Sequence, residues 1–392
     1  MKNKIQLAAQ SLADQLITWR RHLHAHPELS GQEEQTARFV AAELRKMGYE
    51  PQERVGDTFG VTATLNVDDT PAIALRADMD ALPVTEEGDV EYKSKNAGIM
   101  HACGHDAHMA MLLGAAKLLA DRKDQLEQSV KLIFQPSEEC FPGGAQPMIA
   151  AGVLNDVARI YGAHIWSEMP LGTIGTRVGP FMAASDDLRI TVRGKGGHAA
   201  MPQQCVDSVL AAAHVLVALQ SVVSRSITMT DSAVVSITEI HGGTTGNVIP
   251  EVVKMNGTVR TLSEATHPTV ARRIDEIASS VAQAHGATAE VKIRRGYPVL
   301  VNDKDAVECV WAAARSIGFT PDRLMTLPGQ GGGEDFAYYT QKVPGAFVFL
   351  GGGNESKTCH FPHHHPKFNI DEDALPLGAA LLAKLALNGT AT

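Results

Sequence analysis

Apolar residues recur with helical spacing in the N-terminal part of the chain. Leu, Ala, Ile and Phe return every three to four positions over residues 5–25 and 32–47, which predicts two helices. The run PAIALRADMD (71–80) is short and apolar and ends in acids. This run is typical of a buried strand, with Asp78 and Asp80 at its C-terminal end.

Helical and strand-like segments then alternate. HACGHDAHMAMLLGAAKLLA predicts a loop leading into a helix, VKLIFQPSEE (130–139) a second buried strand, residues 145–151 a helix, and ARIYGAHIW (158–166) a third strand that ends at a histidine. This alternation predicts an α/β domain with a largely parallel sheet. Ligands bind beyond the carboxyl ends of strands in such sheets, where the polar residues of these motifs fall.

The pattern changes near residue 184. Alternating strands and apolar helices follow in the order βαββαβ, which is the ferredoxin-like arrangement; they are expected at DLRITVRG, 205–223, 233–242, 252–262, 266–285 and 287–296. The helix AVECVWAAARSIGF, the buried strand AFVFLGGG and a last helix at 371–388 predict a return to the first domain. We therefore expect a first domain of residues 1–183 and 297–392, interrupted by a small domain of residues 184–296.

Composition narrows the class of protein. The 392 residues include 35 basic and 44 acidic side chains, and a net charge of −9 argues against nucleic acid or an anionic membrane as partner. We expect no stretch to approach the roughly 18 apolar residues that span a bilayer. Five scattered cysteines do not form a disulfide framework, so a reducing cytoplasm fits best.

The stretch HACGHDAH (101–108) concentrates side chains that bind metals. Cys103 and His105 flank Gly104, so both can point at one centre, and thiolate with imidazole suits Zn²⁺ and other late divalent ions. The alternative is a buried cysteine beside a helix-capping Asp106.

Three further clusters point the same way. Glu138 and Glu139 follow a buried strand, and adjacent acids there must diverge, so that one can bind metal while the other faces substrate. His164 ends the third strand, and HFPHHHP (360–366) holds three consecutive histidines. Taken singly, these features could be an acidic turn, a core histidine and a solvated loop. Together they favour a metal site.

Several motifs in a fixed order extend this interpretation. They are RADMDALP, HACGHDAHMA, FQPSEE, GAHIW, GKGGHAAMP, GGTTGNVIP, NGTVRT and HHHPKFNIDEDAL. This series closely resembles the amidohydrolase branch of the dimetal aminoacylase and carboxypeptidase metallopeptidase family, which includes hippurate hydrolases, N-acetyl amino acid deacetylases and indole-acetyl-amino-acid hydrolases. The similarity runs from HAHPELS (24–30) to the last helix. It implies a dimetal catalytic domain with an inserted ferredoxin-like lid or dimerisation domain.

The resemblance also implies roles for individual residues. The ligands of two divalent ions (Zn, Mn, Co or Ni) would be Cys103, His105, Glu139, His164 and His364, with His363 as the alternative last ligand and Cys103 lying between or beside the ions. Glu138 would be the general base, taking a proton from the attacking water and passing it to the leaving amine. Asp78 and Asp80 would orient the ligands from behind.

The inserted domain would supply the remaining groups. The resemblance implies that His198 stabilises the oxyanion, from its own or a neighbouring subunit, and that Asn247 and Arg260 bind substrate groups. Arginine suits a carboxylate because it binds in a bidentate manner. Free edge strands in this domain could pair in a homodimer or homotetramer.

The expected reaction is hydrolysis of the amide bond of N-acyl (N-acetyl or N-aroyl) amino acids. A dipeptidase with the same dimetal centre is the nearest alternative, and a metal-binding protein without catalysis is a second. The intact Glu138 argues against the second, because a storage site needs no additional base. A cysteine-based redox protein is disfavoured, since the chain contains no CxxC pair.

Overall fold

A computed structural model describes residues 4–67 and 70–389 of the chain. The chain divides into two compact units. The first comprises Met1–Phe181, Val301–Pro328 and Asp335–Thr392, and the second Met182–Leu300 and Gly329–Glu334.

The helices and strands follow one another along the chain. The N-terminal half contains α1 (Lys4–Ser11), α2 (Ala13–Ala25), α3 (Glu34–Lys46), β1 (Gln52–Val55), β2 (Gly60–Leu65), β3 (Ala72–Asp78), α4 (His105–Ala120), β4 (Val130–Gln135), α5 (Ala145–Ala150), β5 (Val157–Pro170), β6 (Ile174–Thr176), β7 (Gly179–Met182), β8 (Ala184–Arg193) and β9 (Gly197–His198). The remainder contains α6 (Ser208–Ser226), β10 (Ala233–Gly242), β11 (Val248–Ile249), β12 (Val252–Thr261), α7 (His267–Ala284), β13 (Thr288–Tyr297), β14 (Leu300–Asn302), α8 (Lys304–Ser316), β15 (Leu324–Thr326), α9 (Ala337–Thr340), β16 (Gly345–Gly353) and α10 (Leu375–Asn388).

The first unit is built on a mixed eight-stranded sheet in the order β1-β2-β4-β3-β5-β16-β6-β15. The four central strands β4, β3, β5 and β16 are parallel to one another, whereas the pairs β1–β2, β2–β4 and β16–β6 are antiparallel. The expected α/β class with a largely parallel sheet is confirmed. The parallel centre brings the carboxyl ends of β3, β4 and β5 to one edge of the sheet.

Burial explains why these segments form a core. Every residue of β3 is buried, as expected for a central strand of a parallel sheet covered on both faces. Helix α4 is buried along its length except at Lys117 and Ala120, and its Ala, Leu and Met side chains pack in the same core as α10. A helix that is apolar all round has no face toward solvent, so α4 is held firmly within the core of the first unit.

The second unit has its own sheet and core. Its four antiparallel strands follow the order β10-β12-β8-β13, which, with the connections β8-α6-β10 and β12-α7-β13, is the ferredoxin-like arrangement. The buried residues of α6 and α7 pack with the inward residues of the sheet in one apolar cluster.

The structure corrects several expected bounds. The expected helix at 5–25 is interrupted at Leu12, where the N–H of Leu12 bonds to Ala9 O in a tighter turn. Strand β5 continues to Pro170, so His164 lies inside it rather than at its end, because β16 pairs with β5 as far as Pro170. Residues 329–334 belong to the second unit, where Gln330 O accepts a hydrogen bond from Ala183 N.

Helix α6 also departs from expectation. By length and composition it is a candidate membrane span, contrary to the expectation that no stretch approaches that length. Its apolar residues are divided between a buried face that includes Val215 and Leu219 and an exposed one that includes Val217. Length and composition alone do not establish a span, and the buried face belongs to the core of the second unit.

Candidate metal centre

The candidate ligands of the first unit gather at the carboxyl edge of its sheet. Cys103 lies two residues before the start of α4 and His105 is the first residue of that helix. Glu138 and Glu139 follow β4, and His164 lies on β5. Parallel strands place these segments side by side, although they are far apart in the chain. The sheet therefore brings together the motifs that the sequence singled out.

Gly104 determines how Cys103 and His105 are presented. Its φ of +93° lies in the left-handed region, and a Cβ there would stand 2.4 Å from Ile165 Cγ2. Glycine is the residue that tolerates both conditions. The loop can therefore turn sharply and point the thiol and the imidazole toward the same centre.

Several groups of potential ligands meet at this edge, and three of them consist only of the expected ligands and Glu138. Within each group the ligand atoms lie within 4.8 Å of one another; the three groups are Cys103–His105–His164, Cys103–Glu139–His364 and His105–Glu138–Glu139. Cys103 is common to the first two groups. Cys103 could therefore contribute to holding two cations.

The side chains of His105 and Cys103 both favour their protonated forms. Although burial lowers the pKa of His105, the carboxylates of Asp78 and Asp80 raise it to about 10. Burial and the carboxylates of Glu139 and Glu138 raise the pKa of the Cys103 thiol well above its usual range. Divalent cations would offset both effects by replacing the protons on these ligands, so the donor set fits metal ions.

Histidine 164 is oriented for ligation by its own strand. Its Nδ1 donates to Ile165 O at 2.7 Å, which leaves Nε2 as the acceptor nitrogen, 3.5 Å from Cys103 Sγ. Burial and neighbouring histidines hold the pKa of His164 well below its usual value. The imidazole is therefore neutral, which is the form that binds metal.

The histidine triplet divides into different environments. His364 Nε2 lies 3.3 Å from Glu139 Oε1, and His364 is a member of a candidate ligand group. His363 Nε2 instead donates to Ile165 O at 3.0 Å, and its ring packs against Trp166. His363 thus supports the wall of the site, whereas His364 faces the cluster.

Asp80 anchors the turn that carries the two glutamates. Its Oδ1 accepts from Glu138 N at 3.0 Å and its Oδ2 from Glu139 N at 2.9 Å, with Ser30 Oγ donating to Oδ2 as well. His105 Nδ1 lies 3.3 Å from Asp80 Oδ1. One buried carboxylate therefore sets the positions of two acids and one imidazole.

The carboxylate of Asp78 is hydrogen-bonded to Arg76 and His108. Arg76 Nη1 donates to its Oδ2 at 2.6 Å, and His108 Nδ1 donates to its Oδ1 at 2.6 Å. His108 Nε2 in turn accepts from Ile165 N at 2.8 Å. With both ring nitrogens engaged, His108 is a support for the Ile165 peptide rather than a ligand.

Sequence reasoning missed most of this supporting framework. Arg76 Nη2 also donates to Asp335 Oδ1 at 2.8 Å, and Gln135 Nε2 donates to the same carboxylate. A second buried group is centred on Asp106 of α4, whose Oδ2 accepts from Arg20 Nε at 2.7 Å and His24 Nδ1 at 2.8 Å. Arg76 could have been noticed as a charge inside an otherwise apolar strand.

The other expected site residues belong to the second unit. His198 on β9 pairs with Val248, and its Nδ1 accepts from Ala200 N at 3.0 Å, which leaves the proton on Nε2. Asn247 O accepts from Ala199 N, so it lies beside His198. Arg260 on β12 lines a cavity of about 210 Å³.

Comparisons with known proteins show the family of the chain. The profile of peptidase family M20/M25/M40 matches residues 74–388. The chain belongs to this peptidase family. A thermostable carboxypeptidase 2 of Saccharolobus solfataricus is 43% identical to this M20 chain over 387 residues, covering 98% of each. An N-acetylcysteine deacetylase of Bacillus subtilis is 40% identical over 382 residues, covering 97% of this chain and 98% of that protein.

A solved structure supports the dimetal character of the M20 fold. The dinuclear metal binding peptidase YXEP of Bacillus subtilis superposes with a TM-score of 0.84 at 36% identity, covering 96% of this chain and 98% of that one. The chain is thus a hydrolase of the M20 family, and its side-chain groups suit two metal ions.

Proposed function

We propose that this M20 hydrolase is a metal-dependent amidohydrolase that cleaves the amide bond of N-acyl (N-acetyl or N-aroyl) amino acids. The observation that carries the proposal is the clustering of a thiol, three imidazoles and two adjacent acids at one sheet edge. A deacetylase of N-acetylcysteine at 40% identity supports the substrate class.

Five side chains would hold two divalent ions: Cys103, His105, Glu139, His164 and His364. Thiolate and imidazole favour Zn²⁺, with Mn²⁺, Co²⁺ and Ni²⁺ as alternatives. When bound, such ions lower the pKa of water and polarise a carbonyl oxygen. Asp78 and Asp80 support the site from behind, through the contacts to His108 and to the Glu138–Glu139 turn described above.

Glu138 would act as the general base. Its side chain is buried, and its backbone N–H is held by Asp80, so the carboxylate has a restricted range of positions. It would accept a proton from the attacking water and deliver it to the nitrogen of the leaving amine. Glu138→Gln should keep the ions and lose hydrolysis by about 10²-fold or more. Full activity in the metal-loaded variant would exclude this role.

The second unit would contribute substrate-binding groups. His198 has its proton on Nε2 and can donate it in a hydrogen bond to the developing oxyanion, from its own or a neighbouring subunit. Burial lowers the pKa of Arg260, and its guanidinium lines a small cavity, which suits a substrate carboxylate. Asn247 would hold another polar group of the substrate.

Association through the second unit is also part of the proposal. Strand β10 is an edge strand of its sheet and exposes Val234 and Ile240. Unpaired edge strands readily pair with another chain, so we expect a homodimer or homotetramer. Light scattering of the purified protein would measure this. A cytoplasmic location is supported by the free state of Cys103, Cys140, Cys205, Cys309 and Cys359.

A second candidate function is peptide hydrolysis by the same centre, as a carboxypeptidase or dipeptidase. The 43% identity to a thermostable carboxypeptidase supports this second candidate. Peptides and N-acyl amino acids share the amide bond and the carboxylate that Arg260 would bind, and they differ in the group on the acyl side.

Amine release from a panel of substrates tests both functions. Chelator-stripped protein is incubated with Zn²⁺, Mn²⁺ or Co²⁺ and with N-acetyl, N-benzoyl or dipeptide substrates. Metal-dependent release from N-acyl amino acids supports the proposal, and release from peptides alone supports the second candidate. No release by protein that binds two ions would contradict both for these substrates.

A further inference from the structure

The turn Ser137–Glu139 carries both acids of the centre, and its path is set by buried carboxylates. Three successive backbone N–H groups donate to them: Ser137 N to Glu33 Oε1 at 2.8 Å, Glu138 N to Asp80 Oδ1 at 3.0 Å, and Glu139 N to Asp80 Oδ2 at 2.9 Å. Both carboxylate residues are buried. No helix or strand includes this turn, so these bonds position the two glutamates.

Ser137 is the residue of the turn that most needs support. Its φ of +57° lies in the left-handed region, which residues other than glycine rarely adopt. Glu33 Oε1 accepts from Ser137 Oγ at 3.2 Å as well as from its N–H. Glu33 Oε1 therefore accepts hydrogen bonds from both the backbone and the side chain of Ser137.

The position of Glu33 is itself fixed by helix α3. Glu33 is the residue before the helix, and its carbonyl accepts from Ala37 N at 2.9 Å. The next residue, Glu34, is exposed and pairs with Arg38 at 2.7 Å. Two adjacent glutamates thus differ in burial and in partner, and Glu34 is a matched control.

We propose that Glu33 is a positioning residue that holds Ser137 so that Glu138 and Glu139 reach their working positions. It does not touch substrate, and it acts through the oxygen that accepts from Ser137. The inference rests on the proposed function for its effect on turnover, but its effect on metal binding through Glu139 is independent of the substrate.

The test uses four variants of the full chain: Glu33→Ala, Glu33→Gln, Glu33→Asp and Glu34→Ala. We measure kcat and KM on the substrate cleaved in the panel, and Zn²⁺ binding to chelator-stripped protein by titration calorimetry. Glu33→Ala should lower kcat and zinc affinity by about 10–100-fold with little change in KM. Glu34→Ala should behave as wild type.

The other two variants separate the effect of side-chain length from the effect of the carboxyl group. Gln keeps an oxygen at the same distance and should restore most of the kcat and zinc affinity. Asp keeps the carboxyl group but is one methylene shorter, so it should fail as Ala does. If Glu33→Ala does not fold, the comparison of Asp with Gln decides. Wild-type kcat and zinc affinity in Glu33→Asp, or equal losses in Gln and Asp, would overturn the proposal.

The zinc-binding measurement still tests the positioning role of Glu33 if the proposed function is wrong. Should no panel substrate be cleaved, weaker zinc binding in Glu33→Ala and Glu33→Asp than in Glu34→Ala would still support positioning of Glu139. Zinc binding equal in all of these variants would reject it.

Discussion

Replacement of Glu33 by Gln should change how the stability of the first unit depends on pH. Glu33 is fully buried, and burial together with the Asp80 carboxylate raises the pKa of Glu33 from 4.5 to about 7. Its Oε2 is buried without a hydrogen-bond partner in the described part of the chain. The ionised form is therefore disfavoured in the folded state, and Gln cannot ionise.

The sign and the size of this change in the free energy of unfolding follow from proton linkage. The folded state binds more protons than the unfolded state between pH 4.5 and about 7, so the contribution of Glu33 to stability is present below that range. It is lost as the pH rises through about 7, and the full loss is about 3 kcal/mol. Between pH 5 and pH 8, we expect Glu33→Gln to gain about 2.5 kcal/mol relative to wild type.

Urea unfolding monitored by tryptophan fluorescence measures this difference. Trp19, Trp166 and Trp311 all belong to the first unit, so the signal reports on the unit that contains Glu33. Both proteins are unfolded in excess chelator at pH 5, 6, 7 and 8. The amide introduces a constant offset, and only the change in the difference with pH depends on ionisation.

A constant difference in the free energy of unfolding across this pH range would refute the reasoning. It would mean that Glu33 ionises in the folded state as readily as in the unfolded state. A difference of opposite sign, with wild type gaining stability as the pH rises, would mean that a cation or a donor stabilises the Glu33 carboxylate.

The remaining predictions concern the metal centre and its support. Cys103→Ala should lower both metal content and activity, and unchanged stoichiometry by metal analysis after gel filtration would contradict its role as a ligand. His364→Ala should weaken zinc binding in calorimetry more than His363→Ala, because His363 Nε2 is bonded to Ile165 O; equal losses would contradict this. Asp106→Asn leaves the buried Arg20 and His24 without their common carboxylate, and it should destabilise the first unit by about 3–5 kcal/mol in urea unfolding. A loss below about 1 kcal/mol would show that Glu372 and Glu86 compensate.

Local patterns were sufficient for much of the fold. The strand at 71–80 and the helices at 32–47 and 266–285 were predicted close to their observed positions, because periodicity depends on which face of each element is buried. The strands β1 and β2 were not predicted. They form the antiparallel edge of the main sheet, and the exposed residues of β1 give no apolar run.

The site was predictable to the extent that chemistry lies in contiguous motifs. Cys103 with His105, and Glu138 with Glu139, are recognisable because the residue types themselves suit a metal. The choice between His363 and His364 depends on backbone direction in a loop, where Ile165 O takes one ring and Glu139 faces the other. The resemblance favours His364 over His363, but only the three-dimensional arrangement shows which ring is bonded to Ile165 O.

The alternation of elements and the residue types at the sheet edge were predictable from the sequence, since these follow from short-range periodicity and motif chemistry. The buried groups that support them are identified only by the folded arrangement. Glu33 lies 104 residues from Ser137, and Arg76 lies 259 residues from Asp335. Such contacts depend on how distant segments pack and on the burial that results. A buried charge must find its partner in space, and the chain carries no local signal of where that partner will be.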